Sequence, residues 1–134
     1  MENFYINHIA VFVCAVMSLV IGAFWWSPLL FAKPWQAENG FTDEQLAKAN
    51  PLKNFGLSFV IAWTMSYNLA FFLAAPGTTW QWGLAAGLLV AIWVVGMFII
   101  IALFEQRSLK YILINCGYMV VYFAVTGFIL GIWR

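Results

Sequence analysis

Charged side chains are absent from residues 3–32, from residues 54–104 and from residues 111–133 of this 134-residue chain. A charge at a bilayer centre costs at least ~2.5–3.5 kcal/mol, so long uncharged apolar runs are what a membrane selects for. Charged residues make up 8% of the sequence, against roughly 25% in soluble domains. One span takes about 20 apolar residues. The first and last runs therefore predict one membrane helix each, and the middle run predicts two with a turn between them. The expected fold is all-α, an integral membrane four-helix bundle in a single domain, with spans near 5–27, 54–75, 80–104 and 109–133.

The boundaries follow from local chemistry. Trp25 and Trp26 suit the aromatic belt at a membrane interface. Pro28 disfavours helix at the residue before it and lacks an N–H, so the first span ends or kinks there and Leu29-Leu30-Phe31 lie along the interface. Pro34-Trp35 marks the exit into the longest polar segment. Within that segment Thr42 and Gln45 have the spacing of a capping box, and Asp43 and Glu44 suit the positive end of a helix dipole. A short interfacial helix is expected there, stopped by Asn50-Pro51. Pro76-Gly77-Thr78-Thr79 is a turn without charge, which predicts a tight hairpin between neighbouring antiparallel helices. Trp80 and Trp82 then stand at the interface.

Orientation is expected from the basic residues. Lys33, Lys48, Lys53, Arg107 and Lys110, five of the six, fall in the loops after the first and third spans. Positive residues accumulate on the cytoplasmic side. This predicts both termini outside, an N-out/C-out topology, with the short helix in the first cytoplasmic loop.

Three segments resemble a known family. They are Gly22-Ala23-Phe24-Trp25-Trp26-Ser27-Pro28-Leu29-Leu30-Phe31 with Lys33 and Trp35, Leu103-Phe104-Glu105 with Arg107-Ser108, and Leu113-Ile114-Asn115-Cys116-Gly117-Tyr118. All three look like the bacterial membrane family catalogued as domain of unknown function 1761, over essentially the whole chain. The resemblance implies four spans in a bacterial cytoplasmic membrane and brings no activity, substrate or cofactor with it.

Little in the sequence points to catalysis. His8 is the only histidine, without a carboxylate in its span to orient it. Cys14 and Cys116 lie in separate spans without metal-ligand spacing, and such buried thiols act as small apolar residues. No metalloprotease, nucleophile-elbow or phosphate-loop motif occurs. The expectation is no enzyme, no metal, no cofactor and, at a net charge of +1, no nucleic-acid partner. Glu105, Arg107 and Lys110 read either as a solvated loop that fixes topology or as an ion-paired cytoplasmic latch.

Uncharged polar residues within the spans carry more information. Ser18, Ser58, Thr64, Asn68, Asn115, Tyr118 and Tyr122 could form a polar path through the bundle, or simply hydrogen-bond helix to helix at ~0.6 kcal/mol a pair. Gly83-x-x-x-Gly87 and Gly127-x-x-x-Gly131 fall at matched depth on consecutive helices, and such motifs let backbones approach closely. Two function classes follow. One is a structural or accessory membrane element that self-associates, as a homo-oligomer, or joins a larger membrane complex by binding other helices in the lipid bilayer. The alternative is a small channel or transporter using the polar path, although no span carries the carboxylate that a proton-coupled carrier normally needs.

Overall fold

The computed structural model describes residues 4–134. Six helices follow in order: α1 His8–Trp25, α2 Ala32–Asn39, α3 Asp43–Ala47, α4 Pro51–Phe72, α5 Trp80–Phe104 and α6 Leu109–Ile132. No strand occurs among the described residues. Helices α1, α4, α5 and α6 are each long and apolar enough to cross a membrane, and they pack as an antiparallel four-helix bundle. One end carries α2, α3 and the Glu105–Ser108 loop; here it is called the charged end. The other, at Pro76–Thr79, is the hairpin end.

A polar side chain starts every span. Asn7, Asn50, Thr79 and Ser108 are N-caps whose oxygens accept from first-turn amides, each cap contributing ~1 kcal/mol. Asn50-Pro51 thus starts α4 three residues before the expected Asn54, because proline suits the first helical position, where its missing N–H has no partner to lose. Thr42 and Gln45 form the capping box of α3, through Gln45 N–H to Thr42 Oγ1 at 3.1 Å and Thr42 N–H to Gln45 Oε1 at 2.8 Å. Helix α2 replaces the irregular exit expected at Pro34-Trp35. Pro34 falls in its first turn, where proline is tolerated. Gly40 closes it at φ 67°, a left-handed conformation that glycine adopts without a Cβ penalty.

Helix α6 is the hub. It packs along α5, meets α1 on another side, and has α2 across its first turns. The main partner of α4 is α1. The hairpin expectation needs correction here. The turn itself is tight, with Thr78 N–H to Ala75 O at 3.2 Å, but α4 and α5 diverge from it and hardly touch. The reason is where their small residues face. Buried Ala62, Ser66 and Ala70 of α4 turn toward the α1 side, where Ala10, Cys14, Ala15 and Ser18 are buried.

Small residues make the core throughout. The largest side chains with under 2% exposure are Leu73, Val11, Thr126, Cys14 and Ser66. Bulk faces outward, with Phe104 87% and Trp93 79% exposed, as expected where the surroundings are lipid and helix contact rests on close approach of backbones. Contact is closest between α5 and α6. A Cβ added at Gly83 would meet the Gly127 carbonyl, one at Gly87 the Phe123 carbonyl, and one at Gly131 would lie 2.8 Å from the Thr79 oxygen.

At the hairpin end Arg134 closes the bundle. Its Nη1 donates to Leu73 O at 2.6 Å and its Nη2 to Ala75 O at 2.9 Å, placing a cation on the carbonyls where α4 runs out. Such a position suits the negative end of the helix dipole.

Candidate functional site

At the charged end the chain reverses direction around Pro28. Ser27 Oγ donates to Phe24 O at 2.7 Å, and the Leu30 and Ala32 amides donate to Ser27 O at 3.0 and 3.1 Å. The reversal leaves two adjacent indoles facing α6. Trp25 Nε1 donates to Ile114 O at 2.8 Å, and its ring lies where a side chain at Gly117 would otherwise stand. Trp26 packs on Tyr118, with ring centroids 4.5 Å apart. Two segments almost ninety positions apart in sequence, 22–31 and 113–118, are therefore one packed unit.

The third motif segment joins them through α2. Arg107 Nη2 donates to Asn39 Oδ1 at 2.6 Å, and its guanidinium lies 3.7 Å from the Tyr111 ring centroid. The Asn39 amide nitrogen in turn donates to Trp35 O at 2.8 Å, and Ser108 Oγ donates to Glu38. Arg107 is thus engaged with α2 and an aromatic face. Glu105 and Lys110 are exposed and neither bonds Arg107 among the described residues, so of the two readings of these three residues the ion-paired latch is not formed. The clasp at this end is an arginine–amide contact.

The seven residues of the expected polar path separate into two groups. Tyr118 and Tyr122 lie one turn apart on α6 and reach different neighbours. Tyr118 donates its hydroxyl to Ser18 O on α1 at 2.8 Å. The Tyr122 hydroxyl is 3.1 Å from Ser66 Oγ and 3.4 Å from Ala62 O, both on α4. These bonds tie α1 and α4 to the hub. Ser18 Oγ donates to Ala15 O at 2.8 Å and Asn115 Nδ2 to Tyr111 O at 3.0 Å, each within its own helix.

Thr64 and Asn68 are exposed and face away from this group, while Ser58, one turn before Ala62 on the same face of α4, is exposed near the start of that helix. The helical repeat gives the reason. With Ala62, Ser66 and Ala70 buried at i, i+4 and i+8, Thr64 and Asn68 fall about half a turn away on the opposite face. Buried Ser66 and Thr126 are the hydroxyl positions that the sequence reading leaves out. The Ala62-x-x-x-Ser66-x-x-x-Ala70 stripe was the available signal.

What Thr64 and Asn68 line is a lateral cleft of about 620 Å³ between α4 and α5. Met65 and Leu69 form its α4 wall, Leu89, Val90 and Trp93 its α5 wall, and Phe123 its floor. Phe72 and Trp82, with ring centroids 6.0 Å apart, meet near the hairpin end. Thr64 Oγ1 donates to Val60 O at 2.9 Å and so satisfies itself. Asn68 is exposed, and its amide has no partner among the described residues.

The chain belongs to the family described as Protein of unknown function (DUF1761), whose model matches residues 9–131. The resemblance carried by the three motif segments and this match name the same family. No curated protein and no solved structure matches the chain at a significant level.

Proposed function

We propose that this protein is a non-enzymatic, multi-pass element of a bacterial cytoplasmic membrane that docks membrane helices, and that the α4–α5 cleft seats a helix from a second copy of the chain. Asn68 carries the reading. It lies four residues before the end of α4, ~6 Å inside that helix end, on a face that looks into the cleft. A polar group in hydrocarbon without a hydrogen bond costs several kcal/mol, so a neighbour that supplies one is favoured. An amide both donates and accepts. Two copies related by a two-fold axis place the same patch against itself, and their Asn68 amides satisfy each other.

The cleft supplies the apolar remainder. Leu89 and Trp93 stand half or more exposed on its α5 side, available to pack against the ridge of an incoming helix. The proposed orientation has both termini outside and the segments 33–53 and 105–110 cytoplasmic, supported by the five-to-one distribution of Lys and Arg.

The test is the mass of the purified protein in lipid nanodiscs and by native mass spectrometry. A dimer is expected, shifting toward monomer in Asn68→Leu and in Trp93→Ala with helix content unchanged. A monomer at all concentrations, or a dimer indifferent to both substitutions, overturns the proposal. If a different chain co-purifies and is lost in Asn68→Leu, the occupant is that chain. Solute flux in proteoliposomes that Asn68→Leu abolishes would replace the reading with a channel.

A further inference from the structure

A second cleft, of about 750 Å³, opens at the charged end between α2 and the first turns of α6. Its walls are apolar: Leu30, Phe31, Leu113 and Ile114 line it, with Leu30 50% and Leu113 61% exposed. Lys33 and Lys110, from two different helices, line the same cleft and are themselves exposed. Among the described residues no acid lines the cleft: Glu105, five residues before Lys110, is exposed in the loop before α6, and two others are engaged elsewhere. Glu38 accepts from Ser108 and Asp43 from Gln36. Two like charges gathered on one apolar groove repel each other unless an anion comes between them.

We propose that this cleft binds an anionic glycerophospholipid, its phosphate between the ammonium groups of Lys33 and Lys110 and its acyl chains along Leu30, Phe31 and Leu113. Both lysines occupy the first turn of their helices, at the level where the bundle leaves its apolar zone. That is where a headgroup phosphate lies, and long lysine stems reach such a level with their methylenes on apolar surface. The volume falls within the roughly 300–1,000 Å³ of small-molecule sites. Free phosphate would satisfy the two cations and leave the walls bare. A zwitterionic lipid would fill the walls but add an ammonium group facing two others. Only a lipid with net negative charge answers both features. The site is separate from the α4–α5 cleft and does not depend on self-association.

The experiment reconstitutes the protein into vesicles mixing phosphatidylglycerol and phosphatidylcholine, extracts it, and counts retained lipids by native mass spectrometry. Preferential retention of phosphatidylglycerol is expected. Lys33→Ala and Lys110→Ala should each lower it about fivefold, and the double variant about 25-fold. Lys48→Ala with Lys53→Ala, which removes as much charge from the same end but none from the cleft, should leave it unchanged. Circular dichroism checks that each variant keeps its helix content. Equal loss in the control pair reduces the effect to general surface charge and overturns the site. So does retention indifferent to the double variant, or displacement of the lipid by excess inorganic phosphate.

Discussion

Two glycine-to-alanine substitutions on α5, nine positions apart, should change stability with opposite signs. At Gly87 a new Cβ would lie 3.0 Å from the Phe123 carbonyl carbon and 3.3 Å from Gly127 Cα, and closer still to the Phe123 oxygen. Every one of those atoms is α6 backbone, so no side-chain rotation relieves the clash. Carbon atoms pack best at ~3.5–4.0 Å, so α5 and α6 must part by a fraction of an ångström or more at this level. Overpacking of this kind costs ~1–3 kcal/mol. Alanine recovers ~0.5–1 kcal/mol over glycine inside a helix, which leaves Gly87→Ala destabilised by ~1–2 kcal/mol. At Gly96 a Cβ meets nothing within 4 Å. Only the propensity gain remains there, and Gly96→Ala should be stabilised by ~0.5–1 kcal/mol. Unfolding in mixed micelles with increasing SDS, followed by fluorescence of the eight tryptophans, measures both. Shifts of the same sign, or a Gly87→Ala variant as stable as the parent, would refute the claim that backbone contact holds α5 to α6.

Orientation is tested by cysteine labelling on intact cells with a membrane-impermeant thiol reagent. Gly77→Cys should react and Ala49→Cys should be protected, while native Cys14 and Cys116 stay silent because both are buried. The reverse pattern inverts the topology. Arg134→Ala removes the donors to Leu73 and Ala75. Hydrogen bonds from a charged group contribute ~1.5–3 kcal/mol, discounted for partial exposure, so a loss of ~1–2 kcal/mol is expected in the same SDS titration. An unchanged midpoint would mean the arginine is solvated in the membrane-bound protein.

The number of spans was legible because lipid leaves so blunt a mark: beyond the first turn of each long helix no charged residue occurs. Caps were legible for the same kind of local reason, as at Thr42 and Gln45. The inward face of each helix was much harder to read. In a soluble helix a polar face opposes an apolar one, but α4 is apolar nearly all round, so Thr64 and Asn68 gave no sign that they pointed outward. Residue size was the better guide. The stripe Ala62, Ser66, Ala70 marks the packed face of α4 as the two GxxxG motifs mark α5 and α6. Neighbour relations were beyond the local pattern. A tight turn at Pro76–Thr79 fixes the separation of two helix ends and nothing further along, so the divergence of α4 from α5 left no trace in the turn. Arg107 found Asn39, 68 positions away, because α2 folds back under α6, and α2 itself was hidden by reading Pro34 as an exit rather than as part of a first helical turn.

The contacts of Trp25 imply an order of assembly. Helices α5 and α6 are linked by the short Glu105–Ser108 turn and fit together through glycines, so their pairing needs no other helix. Helix α1 precedes α6 in the chain, yet the carbonyl that accepts its indole N–H belongs to Ile114, and the ring is housed against Gly117. Until α6 arrives, that N–H has only water or lipid carbonyls to meet. The Tyr118 hydroxyl that binds Ser18 O arrives with the same helix. The Trp-Trp-Ser-Pro corner, made before α6, thus finds its place only once α6 has arrived.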